Sequence, residues 1–224
     1  MGIPRSDIRA ILASGRIEVD GAPANSISQV VDQFSHVSFD SQVLQANTPR
    51  YIMLNKPAGV VSATKDERHR TVVDLIDEKK SENLHIAGRL DFNSTGLLIL
   101  TNDGAWSRRL ASPELEIAKQ YCVSVEKPLT KDCVEAFARG MYFPYEGITT
   151  RPAELHIVSD NLARVVLTEG RYHQIKRMFG NLGNKVLTLH RFAIGTLCLD
   201  PQLAPGQCRQ LTKTESDSIF EKTL

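Results

Sequence analysis

The order of apolar and polar positions divides the chain into short elements. Residues 5–15, RSDIRAILASG, place Ile8, Ile11 and Leu12 on one helical face. Ser6 stands where an N-cap is expected and Gly15 where the helix should stop. RIEVDG then alternates apolar and polar residues into a D-G turn, the pattern of a strand entering a hairpin. A second strand is expected near Val37–Asp40, and the polar stretch Gln45–Pro49 reads as a linker.

Beyond Arg50 the runs become longer. YIMLNKPAGVVS is an apolar strand entering a K-P-x-G turn, and TVVDLIDEKK carries Val72, Leu75, Ile76 and Lys79 at helical spacing. LHIAGRLDFNSTGLLILTNDG reads as strand, polar turn, strand and stop. A short helix (AWSRRLAS) ends at Pro113, KQYCVSVEKP is a strand, and TKDCVEAFARG is a helix stopped by Gly140. Strands are expected at 153–158 and 162–168, then a helix in GRYHQIKRMFGNLG, a β-rich KVLTLHRFAIGTLCL, and a terminal helix in KTESDSIFEKTL. Strands outnumber crossover helices and many are joined by short turns. This predicts an α+β fold with a mainly antiparallel sheet rather than a doubly wound one. Two domains are expected, 1–45 and 50–224.

Composition narrows the class. At 42% hydrophobic and 24% charged residues the chain can build a core, which excludes global disorder. The formal charge of +1 conceals a basic segment. Between Arg164 and Arg191, six Lys/Arg stand against the single acid Glu169, as suits a protein that meets phosphates on one face. Cys122, Cys133, Cys198 and Cys208 have no metal-ligand spacing and read as buried free thiols. No signal-like or membrane-length apolar segment is seen, so a cytoplasmic location without membrane contact is expected.

Four stretches could carry chemistry. In GRLDFNSTGLLILT, Asp91 sits in a turn between strands, behind Arg89 and ahead of Asn93, Ser94 and Gly96. Tyr121 opens the strand of KQYCVSV. EGRYHQIKRMF starts a helix with Arg171, His173, Gln174, Lys176 and Arg177, and LNKPAG (54–59) reads as a strand-ending turn. Taken singly, each has a bland reading: a polar turn, a half-buried β-former, a solvated basic helix, a strand-ending turn.

Together, in this order and spacing, they resemble the pseudouridine synthases, and within them the subfamily acting on small-subunit ribosomal RNA. The resemblance rests on LNKPAG (54–59), AGRLDFNSTGLLILTNDG (87–104), KQY (119–121), EGRYHQIKRMF (169–179) and LHRFAIG (189–195). It implies a mixed, mainly antiparallel sheet with flanking helices and a central cleft, and no metal or organic cofactor. It also implies that Asp91 is the catalytic aspartate, Tyr121 the active-site tyrosine and Lys176 the cation paired with the aspartate. The reaction breaks the N1–C1′ bond of uridine and joins C5 to C1′. It needs a carboxylate either as nucleophile at C1′ or as base at C2′, and the residues leave both routes open. Arg89, Arg171, Arg177 and Arg191 are expected to contact phosphates.

The opening segment, SDIRAILASGRIEVDG, resembles the second half of an S4-like RNA-binding module, which would bring Arg5, Arg9 and Arg16 to RNA. The chain starts at MGIPRS, too late for the usual first helix, so this module is expected to be incomplete. The expected partner is small-subunit (16S) ribosomal RNA, bound by a monomer. Three other readings compete with this one. A large-subunit synthase would more often carry R-N-R-Q-[IV]-R-R-M where this chain has RYHQIKRM. A non-catalytic rRNA-binding assembly factor has no need of the Asp91, Tyr121 and Lys176 set. A glycosidase needs a second carboxylate.

Overall fold

The computed structural model describes residues 4–77 and 81–221. They form two compact units, one ending at Pro49 and one beginning at Arg50.

The first unit contains helix α1 (Arg5–Ala13) and a four-stranded antiparallel sheet. Its strands are β1 (Ile17–Val19), β2 (Ala22–Pro23), β3 (Val37–Phe39) and β4 (Gln42–Gln45), in the order β2-β1-β3-β4. Both hairpins turn through paired positive-φ residues, Asp20–Gly21 and Asp40–Ser41, the twist that joins antiparallel strands tightly. The helix begins two residues earlier than a Ser6 N-cap implies. Pro4 occupies the N-cap, and Ser6 lies inside the first turn with its hydroxyl bonded to Asp7. Among the described residues Val19 and Ala24 are the buried apolar ones here, whereas Val30, Val31, Val43 and Leu44 are exposed. Burial of so few apolar groups gives this unit little hydrophobic stabilisation.

The second unit is built on a nine-stranded sheet. Its strands are β5 (Tyr51–Lys56), β6 (His85–Ala87), β7 (Thr95–Thr101), β8 (Lys119–Val125), β11 (Glu154–Ser159), β12 (Leu162–Leu167), β13 (Val186–Ile194), β14 (Leu197–Cys198) and β15 (Cys208–Gln210). A separate hairpin comprises β9 (Tyr142–Phe143) and β10 (Ile148–Thr149). The order β11-β12-β8-β13-β7-β5-β15 is antiparallel throughout except where β13 runs parallel to β7. Among the described residues this unit has the helices α2 (Gly104–Ala111), α3 (Lys131–Arg139), α4 (Gln174–Asn181) and α5 (Lys213–Ser218). The mainly antiparallel α+β architecture agrees with the sequence pattern.

The unbroken apolar runs YIML and GLLIL follow from cover on both faces of the sheet centre. Along β7, Leu98 and Leu100 join one core with Val123, Phe137 and Phe179, while Leu97 and Ile99 join a second with Trp106, Leu110 and Ile219. Asp103 caps α2 by accepting from the amides of Ala105 and Trp106, both at 3.0 Å.

Two expectations change. TVVDLIDEKK shows only a single 3₁₀ turn, Val73–Leu75, in its described part, because Thr71 and Asp74 bond each other's backbone in a local turn. The remainder, including Lys79, lies outside the described residues, as does the chain after Glu221. The cysteines are free thiols, but of the four only Cys133 is buried: Cys122 and Cys208 are partly exposed, and Cys198 is exposed on a two-residue edge strand, with Leu197 taking the inward position.

Candidate active site

The Asp91 turn, residues 88–94, links β6 to β7, and its shape is set by what its backbone carbonyls meet. Lys56, at the end of β5, is fully buried and its ammonium donates to the carbonyls of Pro57 (3.0 Å), Phe92 (3.2 Å) and Ser94 (2.9 Å). Ser62 donates to the carbonyl of Leu90 at 2.7 Å and accepts from its amide at 3.1 Å. From the other side, the Arg191 guanidinium donates to the carbonyls of Leu97 (2.8 Å), Arg89 (3.4 Å) and Gly88 (3.4 Å). Two buried cations and one serine therefore anchor the turn by its main chain, which frees the Asp91 side chain to face the cleft. Burial, with Lys176 nearby, pushes the Lys56 ammonium down to about 8, against a smaller opposing pull from Asp91.

Asp91 meets two nitrogen groups from the EGRYHQIKRMF segment. Lys176 Nζ lies 2.8 Å from Oδ2, and His173 Nε2 lies 3.3 Å from Oδ1. Lys176 comes from the first turn of α4. His173 is the N-cap of the same helix and has a left-handed backbone, φ +49°. Such a conformation in a non-glycine residue is held by its surroundings. Glu169 and Gln174 supply them: Gln174 bonds Glu169 at 2.7 Å and accepts from the Arg171 amide at 3.0 Å, while Glu169 also accepts from the Arg151 amide.

A cleft of about 560 Å³ opens over this arrangement. Asp91, Tyr121, Arg89, Arg171 and His173 all line it. Tyr121, on β8, is mostly buried, and Lys119 stands two residues away on the same face of that strand. Burial, with Arg191 beside it, pushes the Lys119 ammonium down to about 8. Among the described residues no group of three His, Cys, Asp or Glu side chains could hold a metal ion, and no helix is long and apolar enough to cross a membrane.

The structure thus brings Lys176 to Asp91 and places Tyr121 in the same cleft. The arginines expected at phosphates divide. Arg89 is exposed at the cleft wall, and Arg171 is half-exposed, bonded through Nε to Glu169 at 2.9 Å. Arg191 departs from the expectation: it is 3% exposed and its donors are engaged by main-chain carbonyls. Arg177 is engaged as well, bonded to both Glu146 oxygens at 2.7 and 2.6 Å and lying 3.7 Å over the Phe143 ring. In the first unit Arg9 is exposed, Arg16 pairs with Asp40 and lies over Phe39, and nothing is described of the Arg5 side chain. Sequence reasoning missed the places of His173 and Lys56, although both lie inside motifs it singled out.

The RNA pseudouridylate synthase family model matches residues 50–181, more than half of the chain. The chain belongs to this family. Among relatives, the synthase is 49% identical over 218 residues to ribosomal small subunit pseudouridine synthase A of Pseudomonas aeruginosa, covering 97% of this chain and 95% of the relative. It is 41% identical over 220 residues to the protein of that name from Escherichia coli, covering 98% and 95%. Among solved structures, the synthase resembles one described as a pseudouridylate synthase, with a TM-score of 0.74 and 36% identity over 97% of this chain and 94% of the other.

Proposed function

We propose that this synthase converts a specific uridine of small-subunit (16S) ribosomal RNA to pseudouridine, with Asp91 as the catalytic carboxylate. The observation that carries this reading is the pairing of Asp91 with Lys176 at 2.8 Å in a cleft that Tyr121 also lines. The adjacent ammonium holds the carboxylate in place by a charge-assisted contact, and a carboxylate is the group needed for attack at C1′ or proton removal at C2′. The target nucleotide must leave its stack to reach Asp91, at a cost of a few kcal/mol. The Tyr121 ring offers the uracil a new stacking surface, and its hydroxyl is available to assist loss of the C5 proton. The isomerisation is internally balanced, so electrons and atoms are conserved without a co-substrate.

The relatives named for the small ribosomal subunit support the substrate, as does the RYHQIKRM form of the third motif. The first unit would act as a partial S4-like RNA-binding module, residues 1–45, ahead of a catalytic domain at 50–224. The protein would work as a cytoplasmic monomer.

The test is to map pseudouridine in both ribosomal RNAs from cells lacking the gene, then after complementation with wild type or Asp91→Asn. One small-subunit site should vanish, return with wild type and stay absent with Asp91→Asn. Loss of a large-subunit site instead would overturn the substrate. Restoration by Asp91→Asn would overturn the role of the carboxylate.

A further inference from the structure

Tyr172 stands next to the catalytic cluster and the chemistry above leaves it unused. It lines the cleft, and 73% of it is exposed. It is also held in place. Its ring stacks on His173 with centroids 3.9 Å apart and planes inclined by 19°, and His173 in turn lies 3.3 Å from Asp91. From behind, the Tyr172 carbonyl accepts from Arg177 at 3.3 Å, and Arg177 is fastened by both Glu146 oxygens. The contacts thus run from carboxylate to imidazole to phenol. Among the described residues no aromatic ring covers the outer face of the phenol.

We infer that the Tyr172–His173 stack is a binding site for a nucleobase adjacent in the RNA to the target uridine. This rests on the proposed RNA substrate. Turning a nucleotide out of its stack exposes the π-faces of its neighbours at the mouth of the enzyme's cleft. A rigid, exposed ring there replaces the lost stacking partner, and its pre-ordering reduces the entropy cost of binding. Arg171 and Arg89 line the same cleft, and an aromatic surface in a cleft that also carries cations is the combination that holds single-stranded nucleic acid. A π-face is common to all bases, so the site selects an unstacked base rather than a particular one.

The test uses the full-length protein and small-subunit RNA assembled by ligation, with the nucleotides flanking the mapped uridine either intact or abasic. Tyr172→Phe keeps the ring and should bind within about twofold of wild type. Tyr172→Leu should weaken binding by about 5- to 150-fold, the range for loss of one base–aromatic stack. Its rate at saturating RNA should stay within about threefold. Removing one flanking base should weaken wild-type binding equally and cost Tyr172→Leu nothing further, since both changes delete the same contact. Unchanged affinity of Tyr172→Leu would overturn the inference, as would losses that simply add. A normal affinity with a depressed rate would place Tyr172 behind His173 as a support and overturn it too. If wild type forms no pseudouridine in this RNA, the substrate reading fails instead, a result separable from the others.

Discussion

Gly96 and Arg191 stand opposite each other in the parallel strand pair, and a Cβ added to Gly96 would lie 2.2 Å from the Arg191 carbonyl oxygen. Gly96 also has φ +101°, a conformation that side chains rarely adopt. The close approach lets the Arg191 guanidinium reach the carbonyls under the Asp91 turn. Gly96→Ala should therefore destabilise the protein by about 2–4 kcal/mol, combining backbone strain with overpacking. Urea unfolding of the two proteins checks this. A variant within 0.5 kcal/mol of wild type, a threshold of about one surface substitution, would show that the strands can part without cost.

Lys176→Met should lower the rate at saturating RNA by on the order of 100-fold or more, whereas Lys176→Arg should stay within about tenfold because the positive charge remains. Stability should change by only about 1 kcal/mol, since both side chains of the pair are partly solvated and His173 stays beside Asp91. Single-turnover kinetics with thermal melts separate the two effects. Equal rates for the Met and Arg variants would remove the cation from the site.

Lys56→Met exchanges a buried cation for an apolar chain of similar length, yet strands the carbonyls of Pro57, Phe92 and Ser94. The second effect should win, with a loss of about 2–4 kcal/mol near neutral pH. The pH dependence has a definite sign. The folded ammonium titrates at about 8 and the unfolded one at 10.5, so between these values the unfolded chain binds more protons and this group's contribution to stability rises with pH. The gap between wild type and Lys56→Met should widen from pH 8 to 10.5, while Lys119, present in both proteins, cancels. Chemical unfolding at pH 7, 9 and 10.5 measures it, and a narrowing gap would contradict the buried, charged lysine.

Neutralising the arginines should separate phosphate contacts from structural clamps. Arg89→Gln and Arg171→Gln should make the salt dependence of RNA binding shallower, by about 0.7 to 0.9 units each. Arg191→Leu should instead lower the melting temperature, because it leaves the Gly88, Arg89 and Leu97 carbonyls without their donor. Arg177→Gln should loosen the Glu146 contact with little change in slope. Salt titrations of RNA affinity beside melting curves distinguish the groups, and a shallower slope for Arg191→Leu at unchanged stability would restore its assignment to phosphate.

The residues by themselves marked most of the strands and helices, TVVDLIDEKK excepted, and the short stretches that carry chemistry. GRLD, KQY and HQIK are local strings, and the apolar runs at 51–54 and 97–100 mark strands covered on both faces. What sequence could not supply is where a long side chain ends. Arg191 reads as one more cation in a basic segment, and only the packing of β13 beside β7 sends its guanidinium to the turn carbonyls of Arg89 and Gly88, 102 and 103 residues away in the chain. Arg177 reads the same way until the β9–β10 hairpin brings Glu146 to it. Lys56 is an ordinary lysine after an asparagine until the Asp91 turn folds over it. Local pattern records burial and periodicity because these repeat along the chain. The partner of a charged group is set by strand order, which joins residues distant in sequence and leaves no periodic trace.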